Sequence, residues 1–482
     1  MSAERTTRAY LDRIEAMNHK GPRLNAVIAV APDAIEQARR LDAERKAGRV
    51  RGALHGLPVL IKDNIDTREL PTTAGSLALA NNMTGRDAPV VARLRDAGIV
   101  MLGKANLSEW ANIRSSDSMS GWSAAGGLVR NPYALDRTAC GSSSGTGAAI
   151  AAGFAWAGVG TETDGSVVCP SAINGLVGMK PTLGLVSRTH VVPISHSQDT
   201  PGPMARSVRD AAMLLGAMAG SDPADAATAD ADAHRVDYAA RLNPAVLKGM
   251  RVGVLRPARL SSDMSARFDA ALALLRGAGA VLVDVKRPDT EGMGAAEFDV
   301  LKMELKSDLA DYLATTPGTV KVRTLADVIA FNRTNAATEM PFFGQDIFEA
   351  AEKTGGTADP GYRPAREKSK ALATQALDTM LADVRLIVTP SYGAAWLSDP
   401  VHGDQVSGPS ASGLPAISGY PHLTVPMGLL DDLPVGLSFI GAKWSEQLLF
   451  DAGAGFEAAR GAFPAPRYAP SADAGPGLDP VR

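Results

Sequence analysis

Residues 140–182, CGSSSGTGAAIAAGFAWAGVGTETDGSVVCPSAINGLVGMKPT, differ in composition from everything around them. Glycine runs at about twice its average density from Gly141 to Gly184, and no lysine occurs between Lys104 and Lys180. Small residues let backbone segments approach one another and a ligand closely. Gly147–Phe154 reads as an Ala-rich helix and Ala155–Thr161 as a buried strand. Ser166 then ends the turn Gly160-Thr161-Glu162-Thr163-Asp164-Gly165-Ser166, ahead of Pro170 and a short helix. Backbone N–H groups in such a turn can converge on an anionic oxygen at a helix N-terminus. An ordinary N-cap serine would look the same, so the turn alone leaves both readings open.

Outward from this stretch, helical and strand patterns alternate, which is the α/β signature. Residues 6–48 read as two helices, with Pro22 and Pro32 punctuating their connection. His55–Asp63 is an apolar strand ending on a charged pair, Ala88–Ala97 a helix, Ile99–Leu102 a strand and Leu107–Asn112 a short helix. The Ser-rich stretch from Ser115 to Ser123 predicts an exposed loop. Residues 222–245 are Ala/Asp-rich and read as a solvated connection. Arg251–Leu255 and Ala280–Val285 bracket a helix. Residues 294–384 are mostly helical and carry aromatics at Phe331, Phe342, Phe343 and Phe348. Leu386–Thr389 and Leu437–Ile440 read as further strands. Residues 461–482 are Pro-rich and predict a tail or surface coil.

The whole chain has 482 residues, 45% hydrophobic and 21% charged, so a large core is available and global disorder is excluded. With 49 Lys+Arg against 52 Asp+Glu, no phosphate-neutralising surface is expected, hence no nucleic-acid partner. No run of about 18 apolar residues occurs, so no membrane span is expected. The N-terminus is polar and reads as an amphipathic helix with Tyr10, Leu11, Ile14 and Met17 on one side. It lacks the apolar core of a signal peptide, which predicts a cytoplasmic protein unless a leader precedes it.

Most catalytic chemistries find no support. His19, His55, His190, His196, His234, His402 and His422 form no metal-ligand pattern. His190 and His196 lie six apart, with no nearby Cys or acid to complete a site. Cys140 and Cys169 read as separate small core thiols. No phosphate loop occurs, and the run from Gly145 to Ile150 lacks the last glycine of a dinucleotide fingerprint. Gly141-Ser142-Ser143-Ser144-Gly145 fits G-x-S-x-G and would make Ser143 a nucleophile. That elbow needs an apolar strand before it, and here NPYALDRTAC precedes it. For Ser166 no histidine is well placed as base. Lys62 ends the apolar strand, where desolvation would depress its pKa towards that of a usable base, although by itself such a lysine more often snorkels at the surface.

The strings at 140–153 and 160–182 resemble the amidase signature family. G-L-P-V-L-I-K-D (56–63), T-A-G-S (73–76), G-K-A-N-L-S-E-W (103–110), the stretch beginning Q-D-T-P-G-P at 198, L-I-V-T-P-S (386–391) and L-P-V-G-L (433–437) extend the likeness along nearly the whole chain. Within the family, S-E-W-A-N-I-R-S-S (108–116), T-E-T-D-G-S and L-A-D-V-I-A-F-N (325–332) are similar to the bacterial peptide amidase group. The resemblance implies an α/β amidase signature fold, a large central mixed β-sheet covered by helices on both faces. It implies Ser166 as the acylated nucleophile, Ser142 as a bridging serine on a cis peptide, and Lys62 as base. Backbone N–H groups of Thr163, Asp164, Gly165 and Ser166 would hold the oxyanion. Glu162, Asp164 and Val168 depart from the wider family's usual Asp, Gly and Arg. These departures resemble the peptide amidases and argue against the tRNA-dependent amidotransferase branch.

The expectation is therefore a serine hydrolase of carbon–nitrogen amide bonds in small molecules or C-terminal peptide amides. The same triad would also serve an aryl acylamidase or a carbamate (urethane) or ester hydrolase. A glutamine amidotransferase subunit or a non-catalytic binding protein is the remoter alternative. One domain is expected over 1–460, with the signature core at about 56–215, a substrate-shaping helical region at about 294–384, and the tail at 461–482. Ser115, Ser116, Phe331, Phe342 and Phe343 are candidate substrate contacts. No metal and no cofactor are expected, and the protein would be a monomer or homodimer.

Overall fold

The computed structural model describes residues 2–472. Its strands are β1 (Val27–Val30), β2 (Pro58–Lys62), β3 (Val100–Ala105), β4 (Ala157–Glu162), β5 (Val177–Lys180), β6 (Thr200–Ala205), β7 (Arg251–Leu255), β8 (Val281–Val285), β9 (Leu386–Pro390), β10 (His422–Leu430) and β11 (Leu433–Ile440). They form one 11-stranded sheet in the order β1-β3-β2-β4-β6-β5-β10-β11-β9-β7-β8. β2 runs parallel to both β3 and β4, whereas β4 and β6 are antiparallel, so the sheet is mixed as expected.

Helices cover both faces, and this explains the continuous apolar runs. Every residue of β2 is buried. In β10, Leu423 and Val425 pack towards Gly453 of the helix Glu446–Arg460. Thr424, between them, lies beside Gly436 of β11 and so faces Ala172 of the helix Val168–Ile173 on the other side. A second apolar cluster joins Trp110 to Leu301, Leu305, Leu309 and Phe348, and so ties the helical region after residue 293 to the loop beyond β3.

Two local readings are corrected. The predicted helix 107–112 is a single 3-10 turn, Glu109–Asn112, in which Trp110, Ala111 and Asn112 all have positive φ. Apolar spacing suggested regular helix, but the left-handed backbone turns the Trp110 ring onto Phe348, at 5.9 Å. The 115–123 stretch is largely buried, with only Ser116 and Asp117 exposed. Its serines stay inside because their hydroxyls are bonded: Ser118 to the Ser115 carbonyl at 2.6 Å and Ser123 to Asn106 at 2.7 Å. The stretch read as a tail or surface coil runs as coil along the surface in its described part. The Tyr468 N–H donates to the Pro132 carbonyl, and Phe463 meets the Tyr133 ring. Residues 473–482 of that tail lie outside the described residues.

Candidate active site

Parallel pairing of β2 with β4 brings their C-terminal ends side by side, which is where open α/β sheets bind ligands. Lys62 closes β2 there, fully buried. Its Nζ donates to Ser142 Oγ at 2.7 Å, Thr161 Oγ1 at 2.8 Å and the Thr161 carbonyl at 3.2 Å. Burial pushes the amine down to about 7, against weaker opposing pulls from Asp199 and Glu162. When neutral, Lys62 can give its two N–H groups to Thr161 and turn its lone pair to the Ser142 hydroxyl. Ser142 follows a cis peptide bond from Gly141, as the resemblance implied.

Ser166 joins the same cluster through its backbone, because its carbonyl accepts the Ser143 N–H at 3.2 Å. Its hydroxyl makes no hydrogen bond among the described residues, so Lys62 and Ser142 are in contact while Ser166 stands beside them. The turn is braced by Glu162, whose Oε2 accepts the N–H groups of Val167 and Val168 at 2.8 and 2.9 Å. Glycine is needed at 165, where φ is +81° and a Cβ would strike the Tyr392 hydroxyl. Among the described residues the N–H groups of Thr163, Asp164, Gly165 and Ser166 are given to no acceptor, so four donors remain at one place. Asp164 is exposed by area but hemmed in by protein, and burial pushes its carboxyl up. Ser143 is not part of this arrangement. Its hydroxyl donates to the Thr161 carbonyl at 3.1 Å and accepts the Thr161 N–H at 3.2 Å, acting as a clasp on β4.

Two other lysines, Lys104 and Lys180, are fully buried. Lys104 pairs with Asp63 at 3.0 Å, and Lys180 donates to the Pro181 carbonyl at 3.1 Å. Neither bonds to a serine. Contrary to the expectation that His196 has no acidic partner, Glu304 and Asp308 reach it from the helix Met293–Ala314. Long-range packing makes this cluster, and local spacing could not show it. Glu304 already accepts Tyr362 Oη at 2.5 Å and the Ser197 N–H at 3.1 Å, and Asp308 accepts the His196 N–H at 2.8 Å.

The candidate substrate contacts separate into distinct places. Ser115 and Ser116 give their hydroxyls to Asp346 at 2.6 and 2.7 Å, and so dock their loop on the helix Asp346–Glu352. Phe342 and Phe343 stand edge-on to Trp122 at 5.7 and 5.3 Å. Phe331 packs instead against the Trp110 cluster. Sequence reading missed Arg114, fully buried, paired with Glu109 at 2.8 Å and set 4.2 Å over the Phe343 ring. A cleft of about 920 Å³ is lined by residues such as Arg259, Met264, Trp396 and Leu433 and holds none of the predicted site residues.

Cys140 and Cys169 are not separate thiols but a disulfide, Cα atoms 6.0 Å apart across 29 residues. Nothing local predicts the pairing. It follows from the contact between Ser143 and Ser166, which brings the two flanking cysteines together.

The amidase family pattern matches residues 5–450. A probable amidase of Arabidopsis thaliana is 38% identical over 95% of this chain and 87% of its own length. A glutamyl-tRNA(Gln) amidotransferase component of Thermobifida fusca is 36% identical over 95% of this chain and 92% of its own. The crystal structure of the native peptide amidase of Stenotrophomonas maltophilia superposes with a TM-score of 0.92 at 48% identity, covering 97% of this chain and 96% of that one. On the span of that pattern and the extent of these likenesses, the chain belongs to the amidase signature family.

Proposed function

We propose that this amidase hydrolyses C-terminal peptide amides or small carboxamides through an acyl-enzyme on Ser166, with Ser142 and Lys62 as proton relay. The contact that carries the reading is Lys62 Nζ to Ser142 Oγ, 2.7 Å, beside a turn with four free N–H groups. Neutral Lys62 takes the Ser142 proton as Ser142 takes that of Ser166, and Ser166 Oγ adds to the amide carbonyl. Thr163 to Ser166 receive the oxyanion; one such donor is worth roughly 10²–10³ in rate. The relay returns its proton to the departing amine, and water then opens the acyl-enzyme by the same steps in reverse. The likeness to peptide amidase, one structure of which holds the competitive inhibitor chymostatin, favours a peptide-like acyl group. No metal or cofactor enters this scheme.

The test is one hydrolysis panel of peptide amides, anilides, esters and urethanes, with mass spectrometry of the fluorophosphonate-labelled enzyme. Fastest turnover of peptide amides with the label on Ser166 supports the reading. Faster anilide or urethane cleavage would move the enzyme to the aryl acylamidase or carbamate class. Absence of both label and turnover would make it a binding protein.

A further inference from the structure

The Q-D-T-P-G-P stretch has no role in the chemistry above, yet it touches the nucleophile turn directly. β4 and β6 pair antiparallel up to Glu162↔Thr200, so the next residues, Thr163 and Asp199, stand opposite each other where the ladder ends. There side chains replace backbone bonds. Thr163 Oγ1 donates to Asp199 Oδ1 at 2.6 Å, and Gln198 Nε2 donates to the Thr163 carbonyl at 3.2 Å. Thr163 is thus held at its hydroxyl and its carbonyl while its N–H stays free.

The holding pair is itself fixed. Asp199 Oδ2 accepts the N–H groups of Ile194 and Ser195 at 2.8 and 2.9 Å. Gln198 also donates to Glu297 Oε1 at 2.9 Å, on the helix Met293–Ala314. The same helix anchors the loop through Glu304 to the Ser197 N–H and through Asp308 to His196. A rigid path therefore runs from the helical region to the first residue of the turn.

We propose that Gln198 and Asp199 are positioning residues that aim the Thr163 end of the oxyanion turn, by replacing the next ladder bonds with side-chain bonds and leaving the N–H free. This rests on the reading of Ser166 as nucleophile and Thr163–Ser166 as oxyanion site.

The experiment compares D199N, T163V, T163S and the double variant T163V/D199N in the full chain. Groups that act only on the transition state change kcat more than KM. D199N and T163V should each lower kcat about 10–100-fold with KM within about threefold, part of the value of a full oxyanion donor. T163S, which restores the hydroxyl, should recover most of the kcat that T163V loses. The double variant should be no worse than the poorer single, because both act on the one Thr163–Asp199 contact.

A pH profile separates positioning from mere folding. The acids that face Lys62 are Asp199 and Glu162, and those around Asp199 include Asp308, with Arg188 also near. Removing the Asp199 charge should move the acid limb of kcat/KM to lower pH, while T163V leaves that limb in place. Wild-type kcat in both D199N and T163V, losses confined to KM, or additive losses in the double variant would overturn the proposal. Active S166A would overturn the underlying reading instead, so the two failures are distinguishable.

Discussion

Asp63 and Lys104 form an ion pair at 3.0 Å, both residues fully buried, one position along the chain from the lysine that touches Ser142. Lys104 also donates to the Ile65 carbonyl at 2.8 Å and Thr72 Oγ1 at 2.9 Å, and Asp63 accepts the Thr73 N–H at 3.2 Å. Successive residues at a strand's end point opposite ways. Lys62 therefore enters the serine cluster while Asp63 turns away and pins the strand's exit.

Lys104→Met should unfold more easily by about 3–5 kcal/mol, because it strands a buried carboxylate. Burial already pushes the Asp63 carboxyl up, and Lys104 opposes that push. Without Lys104 the folded pKa rises further. The deficit is then largest at pH above that value and shrinks as acid protonates Asp63 in the folded state. Urea midpoints at pH 5 and 8 check this, and Asp63→Asn/Lys104→Met should recover much of the loss. Equal deficits at both pH values would remove Asp63 as the cause.

Ser143 and Ser166 make a paired test of the nucleophile. Ser166→Ala should lose all but a percent or so of turnover and keep its melting temperature. Ser143→Ala should keep most turnover but lose about 1–3 kcal/mol of stability, since it leaves the buried Thr161 N–H without a partner. The reverse pattern of activities would move the nucleophile to Ser143.

The disulfide between Cys140 and Cys169 closes a loop of 29 residues that contains both Ser142 and Ser166. Chain-entropy arithmetic for that loop gives about 3–4 kcal/mol of stabilisation. A dithiol reductant, or Cys140→Ala/Cys169→Ala, should lower the melting temperature accordingly and loosen the Ser143–Ser166 contact, reducing kcat. Alkylating reagents alone should do nothing, because the described chain has no free thiol. Full stability and rate in the reduced enzyme would show the bond to be dispensable.

What was legible in the sequence was whatever rests on composition or on long motifs. The apolar run ending at Lys62 gave its strand but not the lysine's burial, since a lysine there more often snorkels at the surface, and the two Gly/Ser-rich strings carried Ser142 and Ser166. β6, with sequence TPGPMA, was missed because two prolines and a glycine imitate a turn. β10 hides in the same way, with Pro426 and Gly428 at an irregularity in its register. Contacts between distant segments left no local trace. His196 with Glu304, Gln198 with Thr163 and the disulfide all depend on the sheet order. The Ser-rich loop was misjudged because serine looks polar in sequence, whereas its bonded hydroxyl is at home inside.

Lys62 ties both activity and stability to pH. Its amine is held near 7 by burial, against an ordinary value of 10.5, so the amine becomes neutral as pH rises through about 7. kcat/KM should rise through one deprotonation there and level off on the alkaline side. Stability carries the same signature with a definite sign. Between the folded and unfolded pKa values the unfolded chain binds the proton that the folded chain resists. The penalty is absent above about 10.5, grows by about 1.4 kcal/mol for each pH step of one as pH falls towards 7, and stays at its full size below. Lys62→Met should therefore abolish activity yet match or exceed wild-type stability at pH 7, with the advantage fading towards pH 10. Lys62→Arg should be inactive as well, because a guanidinium keeps its charge and offers no lone pair. Chemical denaturation across pH 6–10 and initial rates over the same range measure both. Rapid turnover by the arginine variant would show that Lys62 serves through charge or position, and the base would then have to be sought among the other buried groups around Ser142.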